Sequence, residues 1–322
     1  MAGVPERQQR SPRPGGGVAL VATVVSAVSV VTLSIVPGCA TSGVHGTASP
    51  PFGVRSRPDI GYSPGLQLDS WVPAPPARGP FPALVIVHGG GWVGGRKSEY
   101  DKIGPAIARQ GFAAFSIDYR LATAAQPAYP AAVRDVLDAI AWLRAHAVGL
   151  GVDPHRIGLF GDSAGAHLAV LAAMSPDLVR PPERVAAVAG WSGPYDLATW
   201  RPDPTVLGGT GYRLLSDMRW FLGCTSLDDP ACLTTEIAAS PDRVVKAGDP
   251  PMLLATSDEY GPGCEIILPS QTTTMAEAAR SVGVRVRTDV LHVCGHATGY
   301  AAEELGPTLE FFRSAFGAPA QS

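Results

Sequence analysis

The sequence predicts an α/β protein, a mostly parallel sheet flanked by helices, and three observations carry that expectation. Short continuous apolar runs such as "ALVIVHGGG" end in glycines, as strands buried on both faces do. Between two such runs, "PAAVRDVLDAIAWLRAHA" places Val133, Val136, Leu137, Ile140 and Leu143 at helical spacing, with Pro130 near its start. The alternation of strand and helix then repeats to the end of the chain, the signature of a sheet built by crossover connections.

Taken in order, "LQLDSWVP" (66–73) alternates like an exposed strand, "ALVIV" follows as a buried one, and "AAFSIDYRL" is the next strand candidate. The helix at 130–147 leads to the strand "RIGLFG" and the small-residue helix "SAGAHLAVLAAM". "VAAVAGW" and "PMLLATS" are two more strands, residues 270–283 a helix closed by Gly283, "VRVRTDVLHV" the last strand, and 299–316 the last helix. Between about 196 and 245 the pattern breaks into an insertion placed to cap the sheet. The domain is therefore expected over 66–316, with a short tail at 317–322.

The N-terminus reads differently. Arg7, Arg10 and Arg13 precede nineteen residues without a charge, 18–36, the arrangement of an export signal over 1–38. That run closes on Val36-Pro37-Gly38-Cys39, which resembles a bacterial lipobox, so Cys39 is the candidate for lipidation. An uncleaved membrane anchor or an ordinary secretory signal are the alternatives, since about 20 apolar residues span a bilayer. All three place the body of the protein outside the cytoplasm, held to the membrane by lipid or apolar segment, or secreted. Residues 39–65, rich in Gly, Pro and Ser, read as a tether. In that oxidising setting, Cys224 and Cys232 flank a short polar turn that a bridge could close, which leaves Cys264 with Cys294.

A net charge of −3 with no long Lys/Arg run argues against nucleic acid as a partner. No metal-ligand spacing and no dinucleotide or Walker fingerprint is present, so neither metal nor cofactor is expected.

Two segments carry chemistry. Gly161-Asp162-Ser163-Ala164-Gly165 lies between a strand and a helix, where a serine on a sharp turn stands exposed above the sheet and its flanking glycines let strand and helix approach. His88-Gly89-Gly90-Gly91-Trp92 ends an earlier strand, and consecutive glycines let backbone N–H groups converge on one point, as an oxyanion hole requires.

These paired motifs resemble the hormone-sensitive-lipase and bacterial feruloyl-esterase-like branches of the α/β-hydrolase superfamily, over roughly 66–316. The resemblance implies an α/β-hydrolase fold, a serine esterase acting on a small ester, and oxyanion donors at the backbone of Gly90, Gly91 and Ala164. The base should come last in the chain, at His296 or His292, and His296 follows the last strand where related sequences place it. For the acid two counts disagree: from Pro250-Pro251 forward the candidates are Asp258 and Glu259, whereas from His296 back the candidate is Glu265. Asp258, at the strand end, is the first expectation. Rival readings are a peptidase related to prolyl oligopeptidases and an inactive hydrolase fold serving as a surface binding module.

Overall fold

The structure is a computed structural model that describes residues 52–174 and 184–317. The expected export signal, Cys39, the tether up to residue 51 and the tail beyond Gly317 lie outside the described residues.

Eight strands form one sheet in the order β1-β2-β4-β3-β5-β6-β7-β8. They are β1 (Val54–Ser63), β2 (Leu66–Pro73), β3 (Phe81–Val87), β4 (Ala113–Ile117), β5 (Val152–Asp162), β6 (Ala187–Trp191), β7 (Met252–Ser257) and β8 (Val286–Leu291). Strand β2 runs antiparallel to both β1 and β4, and every pairing from β4 to β8 is parallel. Central strands are buried along their length because helices cover both faces: β3, β4, β6 and β7 carry Val, Ile, Leu and Ala with almost no accessible surface. Helices α2 (Ala131–Leu150), α3 (Ala164–Met174) and α8 (Ser270–Ser281) pack on one face, and α1 (Ile103–Arg109) and α9 (Ala301–Phe316) on the other.

One boundary is corrected. The tether was expected to run to residue 65, but 54–63 form the edge strand β1. Its composition is that of a linker because an edge strand with one open side tolerates Pro58 and exposed arginines. Only Ile60 and Tyr62 turn inward, and Gly65, with φ of 74°, closes the hairpin to β2.

The insertion becomes four helices, α4 (Pro204–Leu207), α5 (Gly209–Leu222), α6 (Pro230–Ala238) and α7 (Pro241–Val244). Asp203 and Asp229 cap α4 and α6 by accepting from the N–H of Thr205 and Ala231. Cys224 is bonded to Cys232, closing the turn between α5 and α6.

Beneath the sheet, Trp191 Nε1 donates to Thr308 Oγ1 at 3.0 Å, and Thr308 donates to Glu304 at 3.2 Å. Glu304 is buried, and burial and then the neighbouring Asp289 carboxylate push its pKa well above the ordinary 4.5. A raised folded value means the native state resists an ionisation the unfolded chain accepts. Stability is therefore shed as pH rises from 4.5 towards the folded value. Glu304→Gln is expected to match the parent's melting temperature near pH 4.5 and to exceed it by about 3–6 °C near pH 8. Thermal melts of both proteins across that range check it; an equal or lower value for the variant near pH 8 contradicts the assignment.

Candidate active site

Ser163 follows the last residue of β5 with φ of 50°, the left-handed conformation that an L-residue adopts at a cost. Its N–H donates to Trp191 O at 2.7 Å, extending the sheet ladder by one bond, and its carbonyl accepts from His167 N at 3.1 Å as α3 begins. Both flanking glycines are required by close approach. A Cβ on Gly161 would lie 2.4 Å from Gly165 O, and one on Gly165 would lie 2.1 Å from Val87 O. Replacing either drives β3, β5 and α3 apart.

The loop after β3 lies against this turn. Asp162 Oδ1 accepts from Gly89 N at 3.0 Å and from the Tyr100 hydroxyl, and burial pushes the Asp162 carboxyl up. Gly90 and Gly91 have φ of 110° and 62°, and Gly90 O accepts from Val93 N and Gly94 N. Among the described residues no acceptor pairs with the backbone N–H of Gly90 or Gly91. Gly89, next to these two donors, packs against the nucleophile turn, where a Cβ on it would lie 3.2 Å from Ser163 Cβ. Ala164, following Ser163, is the first residue of α3, and its N–H is therefore at the positive end of that helix.

His88 Nδ1 bonds Gly89 O at 2.7 Å, and the ring stacks on Tyr119 at 4.3 Å. It braces the loop rather than facing Ser163. Trp92 donates from Nε1 to His167 Nδ1 at 3.1 Å and stacks on Phe221 of α5 at 4.8 Å. Because Nδ1 of His167 accepts, its Nε2 carries the proton to Ala239 O at 2.7 Å. Burial lowers the His167 pKa to about 4, so the ring is a neutral clamp joining loop, turn helix and insertion.

His296 Nε2 lies 2.9 Å from Ser163 Oγ, and His296 Nδ1 lies 2.6 Å from Glu265 Oε1. A carboxylate only accepts, so Nδ1 carries the proton and Nε2 is left to accept from the serine. Glu265 has no accessible surface, and Oε1 also accepts from Ile266 N and Ile267 N at 3.0 Å each. Ser192 Oγ donates to Oε2 at 2.5 Å.

The expectation of Asp258 as acid is corrected. Asp258 Oδ2 bonds His292 Nδ1 at 2.6 Å in an exposed pair on the surface, away from His296. Glu259 is exposed as well. The reason is local. After β7 the chain turns outward and doubles back, with Gly261 N donating to Glu265 O at 2.9 Å and Glu265 N to Glu259 O at 3.0 Å. This returns Glu265, not the residue at the strand end, to the sheet. A disulfide between Cys264 and Cys294, Cα atoms 4.4 Å apart, ties this loop to the one carrying His296.

Two details were not legible. Ser192 carries no motif, and Asp217 of α5 lies over Gly91, where a Cβ would come within 2.8 Å of Asp217 Oδ2. Of the five described non-glycine residues with positive φ, four (Trp92, Ser163, Ser192 and Ala297) surround this site. Backbone strain of this kind clusters at active sites and ligand clamps. Among the described residues no group of three or more His, Cys, Asp or Glu side chains is placed to hold a metal.

A mostly parallel sheet with a serine on a left-handed strand-to-helix turn, facing a histidine and a buried carboxylate from later loops, defines an α/β-hydrolase fold. The chain belongs to the BD-FAE family, whose model matches residues 68–276, a span that includes Ser163 and Glu265 and ends before His296. Carboxylesterase NlhH of Mycobacterium tuberculosis is 31% identical over 208 residues, 62% of this chain and 63% of that protein. The chain thus spans less than two thirds of that relative's length. Lipase 2 of Moraxella sp. is 44% identical over a shorter stretch of 94 residues, 28% of this chain and 21% of that one. Among solved structures, a thermophilic esterase from Thermogutta terrifontis superposes with a TM-score of 0.62 at 25% identity, covering 85% of this chain and 96% of that one. A bacterial heroin esterase shares the fold with a TM-score of 0.67 at 24% identity, covering 83% and 85%.

Proposed function

We propose that the protein is a serine carboxylic-ester hydrolase using Ser163, His296 and Glu265, with the backbone of Gly90, Gly91 and Ala164 as oxyanion donors. The observation that carries this reading is the continuous hydrogen-bonded chain from Ser163 Oγ through His296 to Glu265. As Ser163 Oγ attacks an ester carbonyl, His296 Nε2 takes its proton, and Glu265 holds the imidazole in that tautomer and stabilises the imidazolium. The carbonyl oxygen becomes negative facing the N–H groups of the glycine loop. His296 then protonates the departing alcohol, and water, activated by the same nitrogen, releases the acyl group and restores Ser163. The names of the relatives, carboxylesterase and esterase, support ester chemistry. The contact of Glu265 with His296 supports a working triad over the rival reading of an inactive binding module.

Short-chain aryl esters and a serine-directed phosphonate, applied to the full-length protein, test the reading. Hydrolysis with stoichiometric labelling at Ser163 is expected; absence of both overturns it.

The Cys264–Cys294 bridge joins the residue before the proposed acid to the one two before the base. Its 30-residue separation gives about 3–4 kcal/mol of stabilisation in the chain-entropy model. Reduction by a dithiol, or Cys294→Ser, is expected to lower the melting temperature and to slow turnover by about 10²-fold, because a catalytic group misplaced by about 1 Å costs that much. Ser replacements at both Cys224 and Cys232 should leave turnover near that of the parent. Equal turnover with and without the Cys264 bridge contradicts its positioning role.

The protein is further proposed to act outside the cytoplasm, held at the membrane through lipidated Cys39. Labelled fatty acid should enter the parent and not Cys39→Ser. Membrane retention without incorporation in the parent would instead favour an uncleaved apolar anchor.

A further inference from the structure

We infer that Ser192, together with Tyr300, is the positioning device that fixes the acid and the base of this site relative to each other. The inference rests on the esterase reading of Ser163, His296 and Glu265.

Ser192 and Ser163 are equivalent in the sheet. Asp162 of β5 is in register with Trp191 of β6, so each serine is the first residue beyond its strand. Each has φ of 50°. Each continues the parallel ladder by one bond, Ser163 N to Trp191 O at 2.7 Å and Ser192 N to Ala255 O at 2.8 Å. One left-handed serine faces His296 Nε2; its neighbour faces the carboxylate on the other side of the ring.

The bonds to Ser192 Oγ allow only one assignment. Glu265 Oε2, 2.5 Å away, is an acceptor, so the single hydroxyl proton goes to it. Ala297 N, 2.9 Å away, is a donor and takes one lone pair. Tyr300 Oη, 2.7 Å away, then donates into the other, the shorter of its two contacts, the second being to Ala255 O at 3.3 Å. The hydroxyl is saturated, and it is buried. Ala297 directly follows His296, so one oxygen holds the acid by its far carboxylate oxygen and the base by its next peptide. The remaining contacts to Oε2 are long, 3.4 Å from Ser257 N and 3.5 Å from Thr256 Oγ1. Without Ser192 the carboxylate can turn about the Oε1 contacts, and Tyr300, Ala297 and Oε2 all lose a buried partner.

The titratable groups around this pair are Tyr195 and Tyr300, which face Glu265, and Asp162, which faces His296. The two tyrosine hydroxyls are buried and held neutral, with pKa values pushed up by burial. Besides His296 itself, which donates to Oε1, the short side-chain hydrogen bond to the acid among the described residues is the one from Ser192 to Oε2. The Ser192 hydroxyl dipole presents a positive end towards the dyad, which opposes the positive charge the imidazole gains when Nε2 takes a proton. Removing it should make the dyad bind its proton more readily.

The test is Ser192→Ala in the full-length protein, with kcat counted per phosphonate-titrated site. The expected result is a fall of about 10–100-fold in kcat, KM within about threefold, and an acid limb of kcat/KM displaced upward by about 0.5 pH unit. The low-field proton resonance of the imidazole N–H held by Glu265 should also weaken or shift, a readout independent of ester turnover. A merely structural serine would lower the number of titratable sites and leave all three quantities per site unchanged, which overturns the inference. Should Ser192→Ala fail to fold, Tyr300→Phe decides: a fall of about 3–10-fold in kcat with the same displacement supports the relay, and parent-like values overturn it. A parent without Ser163-dependent turnover defeats the esterase reading instead, and the proton resonance still reports on the positioning.

Discussion

Ser163→Ala is expected to abolish ester hydrolysis and phosphonate labelling, with a loss on the order of 10⁶-fold in kcat, while the protein stays folded. The hydroxyl makes one hydrogen bond, to His296 Nε2, and supports no packing that the alanine methyl does not. The backbone remains left-handed and equally strained in the variant, whereas Ser163→Gly removes that strain. The glycine variant should therefore be equally inactive and melt at or above the temperature of the alanine variant. Steady-state assays and melts on the three proteins check both halves. Retention of most of the parent's turnover by purified Ser163→Ala sinks the serine mechanism.

Glu265→Gln should cost between about 10³- and 10⁴-fold in turnover. Either orientation of the amide loses something the carboxylate supplies. With its oxygen at the Oε1 position it still accepts from Ile266 N and Ile267 N, but the charge opposite the imidazolium is gone, and its NH₂ bonds Ser192 Oγ only if that hydroxyl gives its proton to Tyr300 instead. With the NH₂ at Oε1, the imidazole takes the wrong tautomer and two buried N–H groups lose their acceptor. Asp258→Asn, by contrast, should change turnover by less than about threefold, because its partner His292 is exposed and such surface pairs contribute little. Rates for the two variants beside the parent decide the matter. A severe Asp258→Asn and a mild Glu265→Gln would reverse the assignment of the acid.

Most of this fold was legible because its signals are local. A strand buried on both faces has to be an apolar run, and β3 and β7 read as such. The turn at Ser163 was legible for a steric reason: Gly161 and Gly165 are the residues that permit backbone contacts no Cβ would allow. The edge strand β1 was not, since an edge with one open side needs few apolar residues and tolerates the prolines of a linker.

The residues themselves determined the α/β architecture, the nucleophile turn, the glycine loop and the order in which acid and base follow. Each of those is dictated by residue type at short range. Only the tertiary structure decided which carboxylate faces His296, because that depends on a loop of 258–265 folding back on itself and being tied by Cys264 to Cys294. Counting along the chain assumes a loop that leaves the strand and stays out. Ser192 was invisible for a related reason: it is a common residue whose role comes from the register of β5 with β6 and from partners 73, 105 and 108 positions away. Distances of that kind are set by packing of the whole sheet, and no local pattern encodes them.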